Sequence, residues 1–150
     1  MSEQSKVEAN KAVVEKYLRS VEAFDLDAIR ECLAENVVQH YVAPSYMVDD
    51  GNHGAQTIAS RDAIVAEIGD NFHKVLYRQG TVSIEIQSLI GEGDFVACRF
   101  ILDAMTVRAN EHYRNHYNFF YRCENGLVAE YWEYLDSKYA DRLLWGKSAD

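Results

Sequence analysis

Two hydrophobic periods divide the chain. Over residues 5–23, Val13, Val14, Tyr17, Leu18, Val21 and Phe24 recur at i, i+3 and i+4 spacing, which predicts a helix with one apolar stripe. Asp25 stands at an N-cap position, and a shorter helix is predicted from there through Ala34, with Ile29, Cys32 and Leu33 inward. Residues 36–42 read as a short strand. The helical period returns from Arg61 to about Tyr77, with Ser60 or Asp62 as cap and Ile64, Val65, Ile68, Phe72 and Val75 as the buried stripe. After Thr81 the period becomes two. Val82, Ile84 and Ile86 share one face of a strand over 81–90. A turn at Gly91-Glu92-Gly93-Asp94 leads into a long strand over 95–106. There Val96, Cys98, Phe100 and Leu102 lie on one face and Arg99, Ile101 and Asp103 on the other.

The stretch 113–136 breaks this clean alternation. It holds two aromatic-rich runs separated by Glu124-Asn125-Gly126, and an Asn-Gly pair marks a tight hairpin because both central residues need positive φ. His116, Asn118 and Phe120 share one face of the first run, and Tyr117, Phe119 and Tyr121 the other. Tyr131, Glu133 and Leu135 share a face of the second. A strand with one wetted face separates apolar from polar residues; this pair mixes them on both. The pattern predicts a central hairpin with two occupied faces, one against a hydrophobic layer and one lining a cavity with a few polar groups.

Residues 43–60 form the longest irregular stretch, with the single proline Pro44 and the glycines Gly51 and Gly54. Loops of this length often act as lids. Residues 137–150 read as a tail with a last helical turn around 139–144. No repeat or linker divides the chain, so one domain over 1–150 is expected. The order helix, helix, strand, helix, then four antiparallel strands predicts an α+β fold with helices on one side of a curved sheet.

Composition narrows the function. With 150 residues the chain is long enough for a substantial core. Ten tyrosines suit a pocket or interface, since each joins a large apolar ring to one polar tip. A net charge of −9 argues against nucleic acid and anionic membrane as partners. Cys32, Cys98 and Cys123 are odd in number and widely spaced. They form neither a disulfide framework nor a zinc pattern and are expected to be buried reduced thiols. There is no signal-like or membrane-length apolar run, and a cytoplasmic protein is expected. His112 and His116 are four apart, which is ligand spacing only on a helix. His53 and His73 have no evident partner, and no metal is expected. No glycine-rich phosphate loop or nucleophile elbow is present, and no cofactor is expected.

The order ααβαββββ resembles the nuclear transport factor 2-like superfamily, which includes ketosteroid isomerase, SnoaL-like polyketide cyclases, limonene epoxide hydrolase and scytalone dehydratase. The resemblance covers nearly the whole chain. It is carried by Tyr17, by Phe24-Asp25-Leu26-Asp27-Ala28-Ile29 and by Val37-Val38-Gln39-His40. In the closing hairpin it is carried by Tyr113-x-Asn115-x-Tyr117-x-Phe119, Asn125-Gly126-Leu127-Val128-Ala129-Glu130 and Glu133-Tyr134-Leu135-Asp136. It implies a cone-shaped curved antiparallel sheet wrapped around three N-terminal helices, an apolar cavity, and dimerisation through the sheet's outer face. The fold hosts many chemistries, so function must be argued from the site.

Glu133 is the leading candidate. Aligned through the hairpin turn, it falls where limonene epoxide hydrolase has a catalytic aspartate, and a carboxyl in an aromatic pocket has its pKa raised by desolvation. By resemblance, Asn118 falls where ketosteroid isomerase has an acid in its oxyanion hole, and Tyr17 matches that enzyme's oxyanion-hole tyrosine. That enzyme's general base falls at His40 or Tyr41, where this chain has no carboxylate; an imidazole at His40 is an alternative base. His116 shares a face with Asn118 and is a second acid/base candidate. Arg99 and Asp103 stand near the Arg-x-Asp of limonene epoxide hydrolase, although Ile101 occupies its aspartate position. An Arg99–Asp103 pair could orient water or a substrate oxygen or be a surface ion pair of little consequence. Tyr41, Phe72, Phe120 and Tyr131 are expected to contact substrate. The expectation is a cofactor-independent isomerase, cyclase, dehydratase or other lyase. Its substrate would be a mainly apolar polyketide-, terpenoid-, steroid-like or phenolic molecule. The alternatives are an epoxide hydrolase built on Glu133, Asp103 and Arg99, and a binding or association module without chemistry.

Overall fold

A computed structural model describes residues 2–42 and 55–145. Helix α1 (Glu3–Ala23) starts at Ser2, whose hydroxyl accepts the Ser5 N–H, and ends at Phe24 in the left-handed region (φ 57°). Helix α2 (Leu26–Cys32) is capped by Asp25, as the sequence predicts. Strands β1 (Leu33–Val42) and β2 (Ala55–Ala59) follow, so part of the expected irregular stretch is a strand. The rest of that stretch, 43–54, with Pro44, Gly51, His53 and Gly54, lies outside the described residues. Ser60 caps α3 (Arg61–Glu67) through the Ala63 N–H.

From Ile68 to Leu76 the helix continues with π geometry. Its i→i+5 bonding widens each turn and moves the inward face along the sequence. Val75, predicted inward, is therefore 55% exposed, while His73 is buried. The His73 ring packs on Phe24 and Phe72 at 4.3 and 4.7 Å and donates from Nε2 to the Val21 carbonyl at 2.7 Å. Burial lowers its pKa, so the neutral imidazole serves as a structural clamp.

Strands β3 (Ser83–Glu92), β4 (Phe95–Met105), β5 (His112–Glu124) and β6 (Leu127–Leu135) form an antiparallel meander. The last hairpin turns on Asn125 and Gly126, both at positive φ (52° and 76°). The described residues end with α4 (Ser137–Ala140), which runs into a short π-helical segment over Asp141–Trp145. The sheet order is β2-β1-β6-β5-β4-β3. β1 runs parallel to β6, with Gln39 beside Tyr131 and His40 beside Trp132, so the sheet is mixed where all-antiparallel pairing was expected. That junction places the middle of β1 next to the polar part of β6.

The inner face of the sheet meets the helices. Val96, Cys98, Phe100 and Leu102 of β4 point inward as the alternation predicts, and so do Tyr113, Asn115, Tyr117, Phe119 and Tyr121 of β5. They pack with Val14, Ile29, Val37 and Ile64, each fully buried and each contributing about 1.5–3 kcal/mol of apolar transfer. Cys32, Cys98 and Cys123 are buried free thiols. No helix among the described residues is long and apolar enough to cross a membrane.

Candidate active site

A cavity of about 150 Å³ lies between the inner face and the helices. α1 contributes Tyr17, Leu18 and Val21, and the π-helical segment contributes Ile68, Asn71, Phe72 and Leu76. The sheet adds Gln39, Tyr41, Ile58, Ile84, Phe100, Leu102, Tyr117, Phe119, Glu133 and Leu135, and Glu67, Tyr77, Leu144 and Trp145 complete the wall. The lining is mainly apolar, with polar side chains from α1, α3, the π-helical segment, β1, β5 and β6.

Glu133 is the carboxyl inside this wall. Residue exposure is intermediate because the side chain faces the lumen, yet the surrounding protein desolvates the carboxyl. Desolvation raises its pKa to about 8, opposed by a hydrogen bond from Gln39. Gln39 Nε2 donates to Glu133 Oε1 at 2.5 Å, which leaves Oε2 for a ligand. The amide oxygen of Gln39 is buried without a hydrogen-bond partner among the described residues. The other acidic group of the lining, Glu67, sits on an exposed rim and accepts from Asn71 Nδ2 at 2.6 Å.

Two tyrosine groups flank the carboxyl. Tyr17 and Tyr131 share a hydroxyl hydrogen bond of 2.9 Å. Tyr77, Tyr117 and Tyr113 form a second chain, with hydroxyl separations of 3.2 and 2.7 Å. Burial raises the pKa of every one of these phenols, and the charge of Glu133 adds to the rise at Tyr17, Tyr77 and Tyr131. All are neutral donors near pH 7.

Of the residues predicted from sequence, the structure brings Glu133, Tyr17, Tyr41 and Phe72 to the cavity wall, with Tyr131 directly behind Tyr17. Tyr41 sits at the β1–β2 edge and donates to Gln56 Oε1 at 2.6 Å. It does not bring in the others. His116 and Asn118 alternate with the buried tyrosines of β5 and lie exposed on the outer face. Phe120 is on the same face, stacked at 5.2 Å on Phe95. His40 also turns outward, where it bonds Glu130 at 2.7 Å and stacks on Trp132 at 5.1 Å. Arg99 is exposed and pairs in register with Asn118. Asp103 bonds His112 and Arg114, at 2.7 and 3.3 Å, instead of Arg99. Partial burial opposes it, but those two bonds hold the Asp103 carboxyl below its usual pKa. The expected Glu133–Asp103–Arg99 arrangement is thus divided between opposite faces of the sheet.

The family follows from the sequence match. Residues 14–131 match the model of the SnoaL-like domain. The chain belongs to the SnoaL-like domain family. Solved structures share the fold at low identity. A candidate SnoaL-like polyketide cyclase from Jannaschia sp. CCS1 superposes with a TM-score of 0.74 at 14% identity, over 95% of this chain and 93% of that one. An NTF2-like protein of unknown function from Burkholderia pseudomallei K96243 gives 0.72 at 17% identity, over 92% and 98%. A candidate ketosteroid isomerase from Kribbella flavida DSM 17836 gives 0.63 at 18% identity, over 86% and 78%. No curated protein matches the sequence significantly.

Three groups of this SnoaL-like domain escaped the sequence reading. Gln39 sits beside His40, and only the parallel β1–β6 register decides which of the two turns inward. Tyr77 follows the π-helical segment, whose widened turns hide its phase. Asn115 lies in the Tyr113-x-Asn115-x-Tyr117 run, and the period of two alone places it on the tyrosine face. That run was the available signal.

Proposed function

We propose that the cavity is the active site of a cofactor-independent acid/base enzyme carrying out isomerisation, cyclisation, dehydration or another lyase step. The observation behind this reading is Glu133, a carboxyl desolvated inside an aromatic wall, with its pKa raised to about 8 and one oxygen left for a ligand. At neutral pH it holds a proton and serves as general acid; its ionised fraction serves as base. Tyr17 borders the same space and supplies a hydroxyl for developing negative charge. The substrate is small and mainly apolar, since about 150 Å³ holds roughly one aromatic ring. Compact phenolic, terpenoid or polyketide-derived ketones fit better than an intact steroid.

The test is turnover of a panel of such ketones by wild type and Glu133→Gln. Loss of about 10²-fold or more in kcat with retained ligand affinity supports the reading. Unchanged turnover defeats it. Ligands that bind with no turnover in either protein favour a binding module. The hydrolase alternative is disfavoured, because Arg99 and Asp103 lie across the sheet from Glu133.

The outer face supports a second element, a homodimer. Phe95, Phe120 and Tyr134 are 39–55% exposed there, beside Trp132 at 5.9 Å from Phe120. A contiguous exposed aromatic patch of this kind suits a self-complementary interface. A cytoplasmic location remains part of the same proposal, resting on the three buried free thiols.

A further inference from the structure

The charged groups that border the cavity are of one sign. Glu133 stands inside and Glu67 on the rim, and among the described residues no lysine, arginine or histidine joins them. Their fields meet at Tyr41, whose pKa burial raises and the charges of Glu67 and Glu133 raise further. Eight of the lining residues are aromatic. An aromatic ring is electronegative over its face and attracts a cation there. The tyrosine hydroxyls are engaged with one another or, at Tyr41, with Gln56, so most of what the wall offers is ring surface. Two polar positions remain beside the carboxyl, and both are acceptors. Gln39 is 9% exposed and its Oε1 has no donor among the described residues, and Glu133 Oε2 is open once the carboxyl ionises. A ligand carboxylate would meet two like charges here and no cation. A ligand ammonium meets rings and acceptors, and it brings N–H donors of its own.

We propose that the cavity selects a small hydrophobic amine, bound in its ammonium form on Glu133 among the aromatic rings, with Glu67 at the rim as a charge filter that turns acids away. This deepens the acid/base reading and rests on it for the reaction. Pairing with the cation drives the Glu133 proton into solvent, so the carboxyl meets this substrate in its base form. The groups that surround Glu133 are the Gln39 amide and the phenols of Tyr17, Tyr41, Tyr77, Tyr121 and Tyr131, whose pKa values burial raises. Glu133 is therefore the group that gives up the proton. Its pKa is raised to about 8, so in the range just below that value the ionised fraction, and with it the affinity for a cation, climbs as pH rises.

The experiment is titration calorimetry on the full chain with benzylammonium, benzyl alcohol and benzoate, three one-ring probes that differ chiefly in charge. Benzylammonium should bind about tenfold or more tighter than benzyl alcohol at neutral pH, and benzoate should not bind. The benzylammonium affinity should climb toward pH 8, by at most about tenfold per pH unit, while that of benzyl alcohol does not. Titrations in buffers of different ionisation enthalpy should show up to one proton released per cation bound. Glu133→Gln should abolish both the climb and the proton release. Glu67→Gln should keep the climb and lower the benzylammonium affinity only a few-fold, an effect that salt screens. Both substitutions keep the side-chain shape, so circular dichroism should be unchanged. Four results overturn the proposal: equal affinities for benzylammonium and benzyl alcohol, benzoate bound as tightly as the cation, a cation preference that survives Glu133→Gln in full, or no binding of benzylammonium. The two readings fail separately. Proton release on cation binding, with turnover indifferent to Glu133→Gln, sinks the acid/base reading alone. Turnover lost in Glu133→Gln, with benzyl alcohol bound as tightly as benzylammonium, sinks the amine proposal alone.

Discussion

Gln39 donates its amide to Glu133 across the parallel seam between the first and last strands, with 2.5 Å between Nε2 and Oε1. This bond opposes the desolvation that raises the carboxyl's pKa. Gln39→Leu removes it and leaves the desolvation, so the carboxyl of Glu133 should titrate above its wild-type value. A carbon-13 titration of the glutamate side chains reads this directly, and the high-pH limb of the turnover profile should move the same way. A downward shift would mean that the bond does not favour the ionised form.

Stability should carry the same signature. The folded pKa of Glu133 is about 8, against an ordinary value of 4.5. Between these values the folded chain holds a proton that the unfolded chain has released, so stability falls as pH rises, by at most about 1.4 kcal/mol per pH unit from this group. The contribution is fully present below pH 4.5 and lost once pH passes 8. Glu133→Gln has no such proton. Its stability relative to wild type should climb through that window, as measured by urea unfolding at several pH values. Parallel pH profiles for the two proteins would contradict the raised pKa.

Periodicity carried the fold and left one bit of information undecided. Alternation along β5 separates His116, Asn118 and Phe120 from Tyr117, Phe119 and Tyr121 without saying which set is inside. Ketosteroid-isomerase likeness pointed to Asn118, while the buried face is the one with the tyrosines. Glu133 was legible because the Asn125-Gly126 turn fixes its place on the last strand, where the resemblance puts a carboxyl. Gln39 was not, because its inward turn depends on the β1–β6 register, a pairing about ninety residues apart in sequence. His73 was hidden by π geometry, which no helical wheel of 3.6 residues reproduces.

The outer aromatic face yields a prediction about assembly. Phe120 is 40% exposed and touches no cavity residue among its ring partners Phe95 and Trp132. Phe120→Glu would set like charges against each other across a two-fold axis. Light scattering should then report half the wild-type mass, with the thermal transition of the remaining monomer still cooperative. If wild type is itself monomeric at high concentration, the homodimer proposal fails.

Gly91 shows how closely α1 is seated on the sheet. A Cβ there would lie 2.8 Å from Val7 Cγ1 and 3.3 Å from the Lys11 stem. Val7 is β-branched and stiff at χ1, so the helix must move instead of the methyl. Gly91→Ala should therefore destabilise the protein by about 1–2 kcal/mol. The displaced element is the one that carries Tyr17 into the cavity, so turnover should fall as well. Val7→Ala makes room for the new methyl, and the double variant should recover most of the loss seen in Gly91→Ala alone. A double-mutant cycle by chemical denaturation gives the coupling. Additive effects in that cycle would show that α1 and β3 do not meet at these two residues.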